Sequence, residues 1–375
     1  MNLETYLTST SGKPYEKDNS TTTHQIVDAD ILKEVGDITR KLEKTRNILH
    51  SASDIIVGNT PNEVVHEGRM YRLLHYRPMV SKTAKTPILV VYALINRSYI
   101  LDLQPDKSWI RNLLSQGFDI YLIDWKTPTH LDKYVSFDDY VNNYIDDCVD
   151  FVRRKSSVDK ITLHGYCMGA TMSVIYSTLH DDKVRNLATI APVIDSDKDT
   201  TVLANFSRYL EADKLFNSLG NLPSEQLYAL YSTLKPFKQG VNKYFNLVEN
   251  IDNDAFVQNF LRVEKWLYDT PPIAGETFRQ WIIDIYQKNL LVANEMKIGN
   301  EIIDLSKIKI PVLNIVAEED HLVSPQCSAS LNDVVSSLDK RIMRFHTGHV
   351  GLIASSYSQN NVLPKVGQWI KARSQ

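Results

Sequence analysis

Short apolar runs recur along this chain, separated by stretches of helical spacing. "PILVVYALI", "FDIYLIDW", "KITLHG" and "NLATIAPV" each read as a buried strand, and "MYRLLHYRP" as an earlier one. Between them, "DKSWIRNLLSQG", "FDDYVNNYIDDCVDFVRRKSS" and "TMSVIYSTLHDD" carry helical periodicity. Strands alternating with helices predict an α/β fold, a mostly parallel sheet with right-handed crossovers and helices on both faces. The alternation stops over residues 200–300, where "SEQLYALYSTLKPF", "AFVQNFLRVEKWLYD" and "ETFRQWIIDIYQ" predict helices rich in aromatics. It resumes with "KIPVLNIVAEED", a helix around Ser328 to Ser337, "RIMRFHTGH" and a last helix near Leu363 to Ala372. The expected organisation is one α/β core, residues 61–199 and 301–375, interrupted by a helical cap at 200–300.

Ahead of the core, residues 1–60 are expected to be a polar tail followed by an amphipathic helix. Ile31, Val35, Ile38, Leu42, Leu49, Ala52 and Ile56 recur at spacings of three, four or seven, giving one helix or two broken near Ser51. That apolar face is expected to pack on the core; a docking face for a partner subunit is the alternative.

Composition narrows the classes. A 375-residue chain, 43% hydrophobic and 23% charged, is long enough for a large core and ordinary for a globular protein. A net charge of −3 offers no basic field for nucleic acid. No apolar run approaches the roughly 20 residues of a membrane span, and no signal-peptide pattern opens the chain. Cys148, Cys167 and Cys327 are too few and scattered for a disulfide framework or zinc cluster, which points to a reduced, cytoplasmic setting.

The candidate chemistry centres on "KITLHGYCMGATMSV". A glycine–x–nucleophile–x–glycine turn between strand and helix is the nucleophile elbow of α/β-hydrolases, here with Cys167 flanked by Gly165 and Gly169. The helix N-terminus and a nearby imidazole would favour the thiolate over the free thiol. That fold places an acid and then a histidine later in the chain. Asp320 follows "PVLNIVA" and His349 follows "RIMRF", each just beyond a strand. His349 is then the base and Asp320 its orienting partner. The backbone N–H groups of Met168 and Ile95 are the expected oxyanion donors. His321, beside Asp320, is read as structural. His346 and His349 form an H-x-x-H pair with nothing to complete a metal site, so no metal is expected.

The segments "LVVYALINRSYILDLQPDKSWIRNLLSQGFDIYLIDW", "LHGYCMGAT", "EEDHLVSP" and "TGHVGL" resemble polyhydroxyalkanoate synthases. The resemblance runs from about Thr60 to the C-terminus and is greatest to the short synthases that work with a second subunit. It implies polymerisation of (R)-3-hydroxyacyl-CoA, 3-hydroxybutyryl-CoA above all, into polyester with release of CoA. It assigns the nucleophile to Cys167, the acid to Asp320, the base to His349 and the oxyanion donors to Met168 and Ile95. It further implies a growing polyester chain at the site, a smaller accessory subunit, a homodimer, and a cytoplasmic location at the surface of storage granules. No cofactor is implied, coenzyme A being part of the substrate. Ala170 departs from the pattern, since these synthases commonly carry a further glycine there. A cysteine thioesterase or dienelactone-type hydrolase on the same fold is the first alternative, and a non-catalytic scaffold at a granule surface the second.

Overall fold

In the computed structural model, residues 29–50, 55–80, 84–234 and 242–374 are described. The expected polar tail and the Ser51 break lie outside them. An eight-stranded sheet forms the centre: β1 (Asn62–Glu67), β2 (Tyr71–Tyr76), β3 (Ile88–Val91), β4 (Ile120–Trp125), β5 (Ile161–Tyr166), β6 (Val184–Ile190), β9 (Val312–Ala317) and β10 (Lys340–Phe345), with β7 (Lys297–Ile298) and β8 (Glu301–Ile302) forming a separate ribbon. Spatial order is β1-β2-β4-β3-β5-β6-β9-β10. The first two pairings, β1 with β2 and β2 with β4, are antiparallel, and the rest are parallel. Every residue of β3, β5 and β9 is buried, as continuous apolar runs covered on both faces require. The edge strand β1, "NEVVHE", has no buried residue, and its polar and charged ends left no strand signal in the sequence.

Strand order reverses around β3, which lies between β4 and β5. At such a switch point the carboxyl ends of neighbouring strands open a crevice. The loop after β3 is pinned by buried Asp102, which accepts hydrogen bonds from the Thr60 backbone (2.8 Å), the Thr60 hydroxyl (2.7 Å) and the Ser108 hydroxyl (2.6 Å). Ser108 also caps α2 (Trp109–Ser115) by accepting from the Arg111 N–H. Helices α3 (Asp146–Ser156) and α4 (Met168–Leu179) follow β4 and β5. Within α4 every residue through Thr178 is buried, so this helix lies inside the molecule.

After β6 come α5 (Val202–Arg208), α6 (Ala212–Leu219), α7 (Ser224–Leu234), α8 (Asn242–Glu249), α9 (Asp254–Tyr268) and α10 (Gly275–Gln280), which continues as a π-helical turn to Gln287. Trp266, Phe278, Trp281 and Tyr286 are all buried in the main core. The expected single helix around Ser328 to Ser337 is instead two short ones, α11 (Pro325–Ala329) and α12 (Leu331–Val334). The chain closes with α13 (Leu363–Lys371).

The N-terminal helix α1 (Ala29–His50) stops short of the predicted Ile56, which is exposed and non-helical. Among the described side chains, its apolar face does not pack on the main core: Val35, Ile38, Leu42 and Leu49 are exposed, and of those described only Thr45 is buried. The helix is held at its lower end by Ile48, which packs on a small cluster of Ile55, Leu247, Ile251, Val257 and Leu261. Arg40 and Lys44 both donate to Asp252 at 2.9–3.1 Å. These ion pairs are exposed and contribute little energy, so the small cluster is what fixes the helix.

Candidate active site

Cys167 sits between β5 and α4 with φ 55° and ψ −125°, a conformation L-residues rarely adopt. Its surroundings impose that turn. The Cys167 N–H donates to the Ile190 carbonyl of β6 (2.8 Å), and its own carbonyl accepts from Ala170 and Thr171 as α4 begins. A β-carbon on Gly169 would stand 2.3 Å from the Val91 carbonyl oxygen; one on Gly165 would stand 2.4 Å from the Ala170 Cα. Both glycines are therefore required by close backbone approach. Ala170 lies in the first turn of α4, fully buried, and leaves both approaches intact.

The other two sequence-predicted residues converge on the same point. Beyond β9 and β10 the chain keeps pairing: Glu318 N–H donates to the Phe345 carbonyl and Glu319 N–H to the Thr347 carbonyl. This brings Asp320 beside His349. Asp320 Oδ2 accepts from His349 Nδ1 at 2.6 Å, while Oδ1 accepts from the Leu322 and Val323 N–H groups at 2.9 and 3.1 Å. Cys167 lines the same cavity as the imidazole. Burial opposes charge on His349. The facing Asp320 carboxylate, the adjacent Cys167 and the hydrogen bond to Asp320 outweigh it and hold the imidazole well above its ordinary range. Burial likewise opposes charge on Asp320, yet the facing imidazole and the two backbone donors hold its carboxyl below the ordinary range.

Met168 is the first residue of α4, where backbone N–H groups have no intrahelical acceptor. Ile95 follows β3 and lines the same cavity as Cys167 and His349. The two residues thus adjoin Cys167 from two elements, Met168 as its neighbour in the chain and Ile95 across the shared cavity. The other cysteines differ. Burial pushes Cys327 up to about 12 and Cys148 well above its ordinary value, leaving both inert thiols. His346 turns outward to pair with Glu318, and no group of metal-ligating side chains occurs among the described residues.

The cavity over Cys167 holds about 130 Å³. Its floor is Tyr92, Ile95, Tyr166, Cys167 and His349, and its roof comes from α7, α8 and α9 through Tyr228, Tyr231, Lys243 and Trp266, with Thr270 from the segment just after α9. His321, read from sequence as structural, also stands on this wall. Floor and roof are tied together. Asn96, at φ 61°, donates its side-chain amide to the Trp266 carbonyl (3.1 Å) and the Thr270 hydroxyl (2.6 Å), and Trp266 Nε1 donates to the Arg97 carbonyl (2.9 Å). Motif spacing gave no sign of Tyr92, Tyr231 or Lys243; Tyr166 was visible only as the neighbour of Cys167.

Among the described residues no helix is long and apolar enough to cross a membrane. Comparison with known proteins places these features. Residues 86–355 match the α/β-hydrolase fold, and residues 24–113 match the poly-beta-hydroxybutyrate polymerase (PhaC) N-terminus. A solved chain from Sulfolobus solfataricus superposes with TM-score 0.54 at 13% identity, covering 85% of this chain and 99% of that one. The monoacylglycerol lipase of Paleococcus ferrophilus gives 0.51 at 17% identity, covering 80% and 99%. At such identities the likeness concerns the fold alone. Sequence likeness is far greater to the poly(3-hydroxyalkanoate) polymerase subunit PhaC of Haloferax mediterranei. That relative is 46% identical over 327 residues, covering 87% of this chain and 66% of the relative. The PhaC subunit of Allochromatium vinosum is 41% identical over 345 residues, covering 92% of this chain and 97% of the relative. With that identity running along nearly the whole of a relative, the chain belongs to the PhaC family of poly(3-hydroxyalkanoate) polymerases, built on the α/β-hydrolase fold.

Proposed function

We propose that this chain is the catalytic subunit of a polyester synthase, polymerising (R)-3-hydroxyacyl-CoA, 3-hydroxybutyryl-CoA above all, through a thioester on Cys167. The observation that carries the reading is the Asp320–His349 hydrogen bond in the wall of the cavity that Cys167 lines, beneath a helical roof. His349 takes the thiol proton, Asp320 fixes the tautomer and stabilises the imidazolium, and the sulfur displaces CoA, which takes that proton from His349 and leaves as the free thiol. The Met168 and Ile95 N–H groups receive the oxyanion. A substrate 3-hydroxyl then attacks the acyl-Cys167 carbonyl and gives its proton to His349. The new ester bond forms, the C–S bond breaks, and the proton returns to sulfur. Sulfur suits this cycle because exchange between CoA and Cys167 thioesters keeps the acyl group activated. No cofactor takes part, coenzyme A being carried by the substrate.

Residues 200–300 act as a lid that excludes water and moves to admit substrate. A smaller accessory subunit completes the synthase, and the exposed Val35–Ile38–Leu42–Leu49 stripe of α1 has the spacing that a helix of that subunit would pack against. Homodimerisation and residence at the granule surface in the cytoplasm belong to the same proposal.

The deciding experiment incubates the protein with 3-hydroxybutyryl-CoA, with and without an accessory subunit, following thiol release and turbidity together. Polymerisation gives CoA and insoluble polyester, whereas free hydroxy acid would mean a thioesterase. A fully active Cys167→Ala protein would overturn the assignment of the nucleophile.

A further inference from the structure

Tyr166 is buried beside the nucleophile, its ring stacked on Tyr92 (centroids 5.6 Å apart) and tilted against His349 (5.1 Å). Its phenol oxygen has no hydrogen-bond partner. Other buried polar atoms of the described residues share that condition, but Tyr166 alone among them belongs to the wall of the Cys167 cavity. Burial and the nearby Tyr92, Cys167 and Asp320 keep the phenol protonated, so it is available as a donor. Phenylalanine would fill the same volume without leaving a buried hydroxyl unpaired. The oxygen itself is closed off from the cavity in this structure, so a partnerless donor beside a reaction chamber is explained if the movement that admits the substrate also brings its acceptor.

Which acceptor it meets follows from its neighbour. The carbonyl oxygen of the acyl group is served by the Met168 and Ile95 N–H groups. The polar group that must come to His349 is the attacking 3-hydroxyl, whose single proton goes to the imidazole. One of that oxygen's lone pairs attacks, and the other is free to accept a hydrogen bond. We propose that Tyr166 is a substrate-binding residue that donates its phenolic hydrogen bond to the attacking 3-hydroxyl, aligning it between His349 and the acyl-Cys167 carbonyl. This rests on the polymerase reading and adds a residue specific to chain elongation. Loading of Cys167 from CoA involves no hydroxyl attack and makes no use of Tyr166.

The test compares wild type with Tyr166→Phe in rapid-mixing experiments with 3-hydroxybutyryl-CoA, separating the first CoA released per enzyme from steady elongation. Elongation should fall about tenfold, the scale of one lost hydrogen bond, with first release within about twofold of wild type. The thermal midpoint of the variant should equal or exceed wild type, because an unpaired buried hydroxyl has been removed. Unchanged elongation, equal loss in both phases, or a midpoint that falls with the rate would overturn the inference. A wild-type protein that releases CoA without making polyester would instead overturn the polymerase reading.

Discussion

His349 Nδ1 lies 2.6 Å from Asp320 Oδ2, with the two side chains only 3% and 1% exposed. Asp320 has no spare oxygen, since its other one accepts two backbone N–H groups. An amide at this position would turn a donor toward the imidazole or toward those N–H groups. Asp320→Asn is therefore expected to lower kcat by roughly 10³–10⁴-fold through the wrong tautomer. Thiol-release kinetics check this, with circular dichroism to verify the fold.

The same pair makes stability depend on pH. The Asp320 carboxyl is held low, so its contribution is complete above about pH 4 and is lost as pH falls through its lowered value. His349 is held high, so its contribution is complete below about pH 6.5 and is lost as pH rises through its raised value. The midpoint of His349→Ala should therefore fall furthest below wild type between about pH 4 and 6.5. A gap of constant size from acid to alkaline pH would contradict this.

The elbow tolerates one kind of change and not the other. Gly169→Ala drives a methyl into the Val91 carbonyl of β3, which cannot yield without moving the sheet. A loss of about 3 kcal/mol is expected, the upper end of over-packing costs. Ala170→Gly, at a position that leaves both glycine approaches intact, should cost about 1 kcal/mol in helix stability, with activity retained. Denaturant titration of both variants compares them directly.

Asn96 couples the loop bearing Ile95 to the roof. Asn96→Gly preserves access to its left-handed backbone and removes only the amide that grips Trp266 and Thr270. Water should then enter more often, raising the share of released acyl groups that ends as free hydroxy acid several-fold. Chromatographic partition of soluble acid and polymer measures it; an unchanged share would show that the tether does not exclude water.

The strands β3 to β6 and β9 were legible because burial on both faces demands unbroken apolar runs. The position of Cys167 was legible because a glycine at both flanking positions has few other uses. Asp320 and His349 were legible by order alone, each falling just past a strand. The edge strand β1 was not, because four of its six residues carry charge or polarity and none is buried. Nor was the fate of α1. Its apolar spacing is that of a packed helix, and the pattern does not say which surface covers it. The roof residues Tyr231 and Lys243 were illegible for another reason: they lie on α7 and α8, far from Cys167 in the chain, and share its cavity only through the tertiary fold, which no local spacing encodes.

With its roof in this position the cavity over Cys167 is about 130 Å³. Under the proposed polymerase reading it would shelter the reacting ends of two molecules, not an accumulating thread. For a polymerase, each addition would then begin from the same local state whatever was made before. Such a catalyst keeps no count: the chance of stopping is the same at every step, and product lengths follow a geometric distribution set by the ratio of stopping to adding.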